Sequence, residues 1–209
     1  MLVIYGRANS INVRKVLWAV EELGLPYRRE DWGRGFKPLS DPAFVAVNPL
    51  ELIPAIDDDG FILSESNAII RYLAAKHGRT DLLPTDLQAR AIVERWMDWQ
   101  AAELSVVGRA AFHGYVTKVP QPGGDAAVAA SVEEWPKQMA MIEQQLATTN
   151  AYIAGPDFTL ADVCIGLGVN RWFSTPLPGT RPDFPATAAY YERLSERKPY
   201  LAHGRNGLP

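Results

Sequence analysis

Two polar residues, Glu65 and Ser66, stand where a helix is expected to begin directly after a strand. The first N–H groups of a helix have no partner inside it, and the helix dipole favours a negative charge there. The Ser66 hydroxyl can add a donor to a carboxylate, and Glu65 can hold an ammonium group. A free amino-acid end offers both charges, so the pair predicts a site for such a group. The alternative is a simple helix cap, in which Ser64 or Ser66 satisfies the unpaired N–H groups.

A second polar group, Ser10 and Asn12, lies at the start of the first expected helix, after a short strand that contains Tyr5. Hydroxyl and amide donors aimed from a helix N-terminus can stabilise an anion, as they do for protein thiolates. The alternative for Ser10 is again an N-cap that touches no ligand.

Other chemistries find little support in the residue types. The three histidines, His77, His113 and His203, have no partner at a spacing that suggests a nucleophile and its base. The one cysteine, Cys164, excludes a disulfide within the chain and a zinc site built from paired cysteines. Because it lies in a very apolar segment, we expect it to be buried and inert. No metal ion is expected.

The charge pattern argues against a nucleic-acid partner. The net charge is -3, and the basic pairs Arg14-Lys15, Arg28-Arg29 and Arg197-Lys198 are scattered, so we expect them on a solvated surface. No segment approaches the ~20 apolar residues of a membrane span, and the N-terminus does not resemble a signal peptide. These features predict a cytoplasmic protein without a membrane partner.

The elements that position these residues follow from apolar periodicity and from Gly and Pro signals. Strand, helix and strand over residues 1–32 predict a βαβ unit with a parallel pair. After a loop, the pattern predicts a strand at 53–56, a turn at 57–60, a strand at 61–63 and a helix that ends at Gly78.

The rest of the chain reads as helices only. They are predicted at 87–112, 125–148, 159–172 and 186–197, and the third begins with a capping box formed by Thr159 and Asp162. The predicted architecture is an α/β domain followed by an all-α helical bundle. We place the domains at 1–78 and 87–209, joined by a linker at 79–86.

Four segments in this order resemble the cytosolic glutathione transferase family, of the theta-, beta- and nu-like bacterial type. They are Tyr5-Gly6 with 9–16 (NSINVRKV), 48–56 (NPLELIPAI), 63–73 (LSESNAIIRYL) and 158–162 (FTLAD). The resemblance covers nearly the whole chain. It implies a thioredoxin-like N-terminal domain that binds glutathione, and a helical domain that carries the pocket for a second substrate.

The resemblance also assigns the parts of a glutathione site. It places the γ-glutamyl end at Glu65 and Ser66, and a cis peptide bond at Ile53-Pro54, where the backbone of Ile53 meets the cysteinyl part. Members often carry a basic residue at the position of Leu52 that binds the glycine carboxylate. Leu52 cannot supply that charge. Lys37 and Trp32 in the long loop are the two candidates for its replacement, and both are candidates to bind glutathione.

In this family the enzyme favours the glutathione thiolate by hydrogen bonding. Ser10 is the first candidate for the donor and Asn12 the second, whereas Tyr5 lies inside a strand and is a weaker candidate. In the helical domain the resemblance suggests that Gln100 reaches the glutathione of a neighbouring subunit in a homodimer. The candidates for the second-substrate pocket are Val107, Phe112, His113 and Tyr115.

The predicted function is transfer of glutathione, as co-substrate, to a small electrophile, or its use to reduce a peroxide or disulfide. The alternative is a non-catalytic binding module on the same fold, which the departure at Glu51-Leu52 slightly favours. A glutathione-dependent isomerase ranks lower because the Ser-Ser-Cys motif typical of such members is absent.

Overall fold

The computed structural model describes residues 1–207, and the chain divides into two compact units. Unit 1 comprises residues 1–84, and unit 2 begins at Thr85. Part of the predicted linker packs into unit 1, since Leu82 and Leu83 are buried and Arg79 donates a hydrogen bond of 2.6 Å to the carbonyl of Glu22.

Unit 1 is a four-stranded mixed sheet with helices. Its elements are β1 Leu2–Tyr5, α1 Ile11–Glu22, β2 Tyr27–Glu30, α2 Pro42–Val45, β3 Ala55–Asp58, β4 Phe61–Ser64 and α3 Ser66–Lys76. The strand order in the sheet is β2-β1-β3-β4; β1 and β2 are parallel, and the other two pairs are antiparallel. This arrangement confirms the predicted thioredoxin-like domain.

The core of unit 1 explains why α1 lies where it does. Parallel strands need a crossover, and α1 supplies it between β1 and β2. Its apolar residues Val13, Val16, Leu17 and Val20 are buried, and the helix packs on α3.

The structure corrects one surface expectation and shifts one strand. Arg14 and Lys15 of α1 were expected in solvent, but each is only 2% exposed. The third strand begins at Ala55, two residues later than predicted, because Ile53 and Pro54 form a bend before it. The bond between these two residues is cis, as the family resemblance implied.

The regular elements in the described part of unit 2 are all helices. Its elements are α4 Leu87–Trp99, α5 Ser105–Val107, α6 Arg109–Phe112, α7 Gly124–Thr149, α8 Leu160–Ser174, α9 Pro185–Ser195 and α10 Lys198–His203, with π-helical segments at Gln100–Leu104 and His113–Thr117. The helix α8 is central, and nearly all of its side chains are buried. These helices confirm the predicted all-α domain.

The helix predicted at 87–112 is not one regular α-helix. Its path widens at Gln100–Leu104 and continues to Thr117. Tertiary packing accompanies the change: a Cβ at Gly108 would lie 2.7 Å from the Trp135 ring, and one at Gly168 would lie 2.6 Å from Leu104. Because glycine has no Cβ, these two positions allow the helices to approach closely. The helix α10 was not predicted separately.

Candidate functional site

The turn after β1 lies against the bend before β3. A Cβ at Gly6 would lie 2.6 Å from Cγ2 of Val13 and 3.1 Å from Cβ of Ile53. Gly6 also has φ +143°, a conformation that glycine adopts readily. Glycine therefore brings the backbone of Ile53 beside the turn that leads to α1.

The backbone of Ile53 is open to a ligand. No hydrogen bond to its N–H or C=O occurs within residues 1–207. The preceding residue is held differently, because the carbonyl of Leu52 accepts a hydrogen bond of 2.7 Å from the side-chain amide of Asn48. The bend thus presents the free edge that an extended peptide-like ligand can pair with.

Ser10 occupies the N-cap position of α1, yet its hydroxyl makes no cap hydrogen bond. Its backbone carbonyl accepts the first helical bond, from the N–H of Arg14 at 2.8 Å. Asn12 lies in the first turn and is exposed. Tyr5 ends β1, and burial followed by the negative charges of Glu30 and Asp57 raises its pKa. Tyr5 lies within the strand, whereas the Ser10 hydroxyl is uncapped at the start of α1, so Ser10 remains the first candidate for the thiolate donor.

The Glu65–Ser66 pair stands at the N-terminus of α3. Glu65 has φ +70°, a sparsely populated conformation for a residue with a side chain, and its carboxylate is exposed. Glu65 is the N-cap residue of α3, and its side chain makes no cap hydrogen bond. Ser66 is buried, and its Oγ accepts a hydrogen bond from the ammonium of Lys15 at 3.2 Å. The hydroxyl proton of Ser66 is left for another acceptor.

Trp32 and Lys37 lie close to each other. The indole of Trp32 is buried and donates a 3.3 Å hydrogen bond to Glu30. The ammonium of Lys37 lies 4.8 Å from the centre of the Trp32 ring. The indole N–H is therefore already engaged inside unit 1, and Lys37 is the residue of the two that brings a charge to this loop.

Two arginines that the sequence did not single out also belong to this region. Nη1 of Arg7 is buried and has no hydrogen-bond partner within the described residues. Burial, and then the positive charge of Arg34, lower the pKa of Arg7. Arg34 lines a cavity of about 410 Å³ together with Glu51, next to Leu52. Arg34 therefore brings a positive charge beside the position of Leu52, in a cavity that it shares with the acidic residue Glu51, and Arg7 lies within electrostatic range of Arg34.

Gln100 does not stand where its predicted role requires. It is 1% exposed, and its side-chain amide donates a hydrogen bond to the hydroxyl of Ser105 in the same helical stretch. Buried and bonded within unit 2, it has no surface from which to reach a neighbouring subunit. The burial of Gln100 therefore argues against this predicted role.

The four candidates for the second-substrate pocket lie along 105–117 but are only partly brought together. The rings of Phe112 and His113 are 5.3 Å apart, and the guanidinium of Arg171 lies 3.8 Å from the centre of the Phe112 ring. Nδ1 of His113 lies 2.6 Å from the Thr117 hydroxyl. The carbonyl of Val107 accepts a hydrogen bond from Ser131, and Tyr115 faces the ammonium of Lys118.

Within residues 1–207, no group of three or more His, Cys, Asp or Glu side chains could hold a metal ion. None of the helices described combines the length and apolar composition that a bilayer crossing needs.

Comparison with known proteins decides the family. Residues 9–76 match the model of the glutathione S-transferase N-terminal domain, and residues 110–198 match that of the C-terminal domain. Over 200 residues, 94% of each chain, the protein is 38% identical to glutathione S-transferase GstB of Escherichia coli. The chain belongs to the glutathione S-transferase family. It is also 33% identical to glutathione S-transferase 3 of Zea mays, over 94% of this chain and 90% of that one.

A solved structure supports the same conclusion for this glutathione S-transferase family member. The theta-class enzyme of Xanthomonas axonopodis pv. citri, with glutathione bound, superposes with a TM-score of 0.90 and 35% identity, over 100% of this chain and 99% of that one. The predicted family, fold and enzyme class, a glutathione transferase, are thereby confirmed.

Proposed function

We propose that this transferase binds glutathione in unit 1 and holds its sulfur as a thiolate with the hydroxyl of Ser10. The observation that carries the proposal is the close approach of Ile53 to Gly6. Cβ of Ile53 lies only 3.1 Å from the point where a Cβ on Gly6 would stand. A cysteinyl residue paired with the open backbone of Ile53 lies beside the turn that ends at Ser10. The uncapped hydroxyl there is free to donate to the sulfur.

Each charged group at the two ends of glutathione lies near a protein group that complements its charge. The γ-glutamyl carboxylate lies at the N-terminus of α3 with Ser66, and its ammonium group lies at Glu65. The glycine carboxylate lies near Arg34 and Arg7, with Lys37 nearby, in place of the basic residue that Leu52 does not provide. The buried and unpartnered Nη1 of Arg7 supports this assignment, since such a group is costly without an anion.

The reaction is attack of the thiolate on a small, often apolar electrophile. The helical domain supplies the second-substrate residues Val107, Phe112, His113 and Tyr115, with unit 1 as the glutathione domain. The protein acts as a homodimer in the cytoplasm, with glutathione as co-substrate and without a metal ion.

Retention on immobilised glutathione and conjugation of an aryl halide test the function together. We expect the protein to bind the resin, to elute with free glutathione, and to form the conjugate faster than the uncatalysed reaction. Binding without conjugation would instead support the non-catalytic module, and failure in both assays would reject the proposal.

A further inference from the structure

A lysine lies buried between α1 and α3 of unit 1. Lys15 is only 2% exposed, although lysine ammonium groups are rarely taken out of water. Its Nζ donates hydrogen bonds to Oδ1 of Asn67 at 2.7 Å and to Oγ of Ser66 at 3.2 Å. Both acceptors lie in the first turn of α3. The positive charge is therefore held directly behind the helix N-terminus.

The bond from Lys15 fixes what the Ser66 hydroxyl can do. A serine hydroxyl has one proton to donate and two lone pairs that accept. Because Oγ of Ser66 accepts from Lys15, its proton points away from the ammonium and remains free for an anion. The backbone N–H groups of the same turn lack partners within the helix. A carboxylate at this position meets an oriented O–H, backbone N–H groups and a nearby cation.

We propose that Lys15 is the positioning residue for the γ-glutamyl carboxylate of glutathione, which it serves through Ser66 and through its own charge. The inference rests on the proposed binding of glutathione in unit 1. A lysine that merely tied α1 to α3 would stabilise the fold without distinguishing ligands that carry this carboxylate from ligands that lack it.

Calorimetric binding of two ligands makes that distinction. The first is glutathione, and the second is 4-aminobutyryl-cysteinyl-glycine, which lacks only the α-carboxylate of the γ-glutamyl residue. In Lys15→Met we expect the Kd of glutathione to rise about 10- to 100-fold, the range for a charge-assisted hydrogen bond, and that of the analogue to stay nearly unchanged. KM for glutathione rises while kcat stays close to that of the wild type, because the thiol end is untouched.

A matched control removes a lysine at the C-terminal end of α3, the helix whose N-terminus Lys15 contacts. The ammonium of Lys76 bonds to Asp58 near the C-terminus of α3. Lys76→Met has the same net charge as Lys15→Met, and we expect it to bind both ligands like the wild type.

Two results would overturn the inference: Lys15→Met loses affinity equally for both ligands, or it loses affinity for neither. If this variant does not fold, the ammonium resonance of Lys15 in ¹⁵N-lysine-labelled wild-type protein decides instead. It should shift with glutathione and not with the analogue, and the same response to both would contradict the inference. If the wild type binds no glutathione, the proposed function itself fails and the inference falls with it.

Discussion

A serine at the start of a helix usually caps it, but the hydroxyl of Ser10 makes no cap hydrogen bond. The helix therefore gives up a stabilising contact of about 1 kcal/mol at this residue. At the other candidate position, the hydroxyl oxygen of Ser66 accepts a hydrogen bond from the buried ammonium group of Lys15. Both hydroxyls keep a proton for a ligand, which is the feature a glutathione site requires of them.

The charge that replaces the missing basic residue at Leu52 can be tested at Arg34. We expect Arg34→Ala to weaken glutathione binding by about tenfold, because one charge-assisted contact to the glycine carboxylate is lost. Binding of γ-glutamylcysteine, which lacks the glycine, should be unchanged. Calorimetry with both ligands measures the difference.

The control for Arg34→Ala adds a positive charge at Leu52, the position where other family members often carry a basic residue. Leu52 is 56% exposed, so Leu52→Lys can be accommodated and should tighten glutathione binding without affecting γ-glutamylcysteine. Equal losses of both ligands in Arg34→Ala would place the glycine carboxylate elsewhere.

Residue types revealed some of these groups and not others. Glu65, Ser66 and Ser10 were singled out because they stand at expected helix starts within segments that resemble the family, since position alone predicts a helix cap equally well. Lys15 was missed because adjacent basic residues usually lie in solvent, and only the packing of α1 on α3 buries it. Arg34 was missed because a charged residue in a glycine-rich loop gives no signal of what faces it.

At the scale of elements, the approach of the β1–α1 turn to the bend before β3 depends on Gly6. We expect Gly6→Ala to destabilise the protein by about 1–3 kcal/mol, since the new Cβ overlaps Val13. It should also weaken glutathione binding, because Ile53 must move. Chemical denaturation and calorimetry measure the two effects.

Gly24→Ala is the matched control for Gly6→Ala. Gly24 also has a positive φ, +68°, but a Cβ there would have nothing within 4 Å. It therefore reports the backbone cost alone. If both variants lose the same stability and both bind glutathione normally, the close contact at Gly6 has no role in the site.

The start of α8 depends on a buried carboxylate. Oδ1 of Asp162 accepts from the N–H of Ile153 and the hydroxyl of Tyr190, each at 2.9 Å, and Oδ2 accepts from Thr159. Burial raises the pKa of Asp162 to about 6, although these donors pull it down. The folded state therefore holds a proton on Asp162 at pH values where the unfolded chain has lost it.

This pKa gives the stability a definite pH dependence. The contribution of Asp162 is fully present below about pH 4 and is lost as the pH rises to about 6, up to about 3 kcal/mol. Asp162→Asn should remove this slope from the free energy of unfolding, measured by denaturation between pH 4 and 6.5. The exposed Asp125→Asn should leave it unchanged. A slope that persists in Asp162→Asn would contradict the assignment.

Periodicity predicted the order and type of nearly all elements, and it failed where packing decides. An apolar stripe predicts a helix over 87–112, but it carries no information on the widened turns that accompany the close contacts of Gly108 and Gly168. The cis bond at Ile53–Pro54 also cannot be predicted from local sequence, because trans is the common form before proline. The family resemblance predicted it correctly.

At the scale of the whole molecule, we expect a homodimer in solution. Leu50 in unit 1 is 61% exposed, and Met141 in unit 2 is 48% exposed beside Trp96, in a cavity of about 360 Å³. The expectation of a homodimer comes from the family resemblance, and exposed apolar side chains such as these are available to a contact between subunits. Sedimentation equilibrium should give about twice the chain mass of 23.1 kDa. A mass of one chain at assay concentrations would contradict the homodimer.

The central claim is that Ser10 stabilises the thiolate of bound glutathione. The most direct measurement is the thiolate absorbance of the complex as a function of pH, in the wild type, Ser10→Ala and Asn12→Ala. We predict a thiol pKa in the wild-type complex well below that of free glutathione, raised by about one to two pH units in Ser10→Ala and little changed in Asn12→Ala. A Ser10→Ala curve that coincides with the wild type, or a shift found only in Asn12→Ala, would contradict the claim.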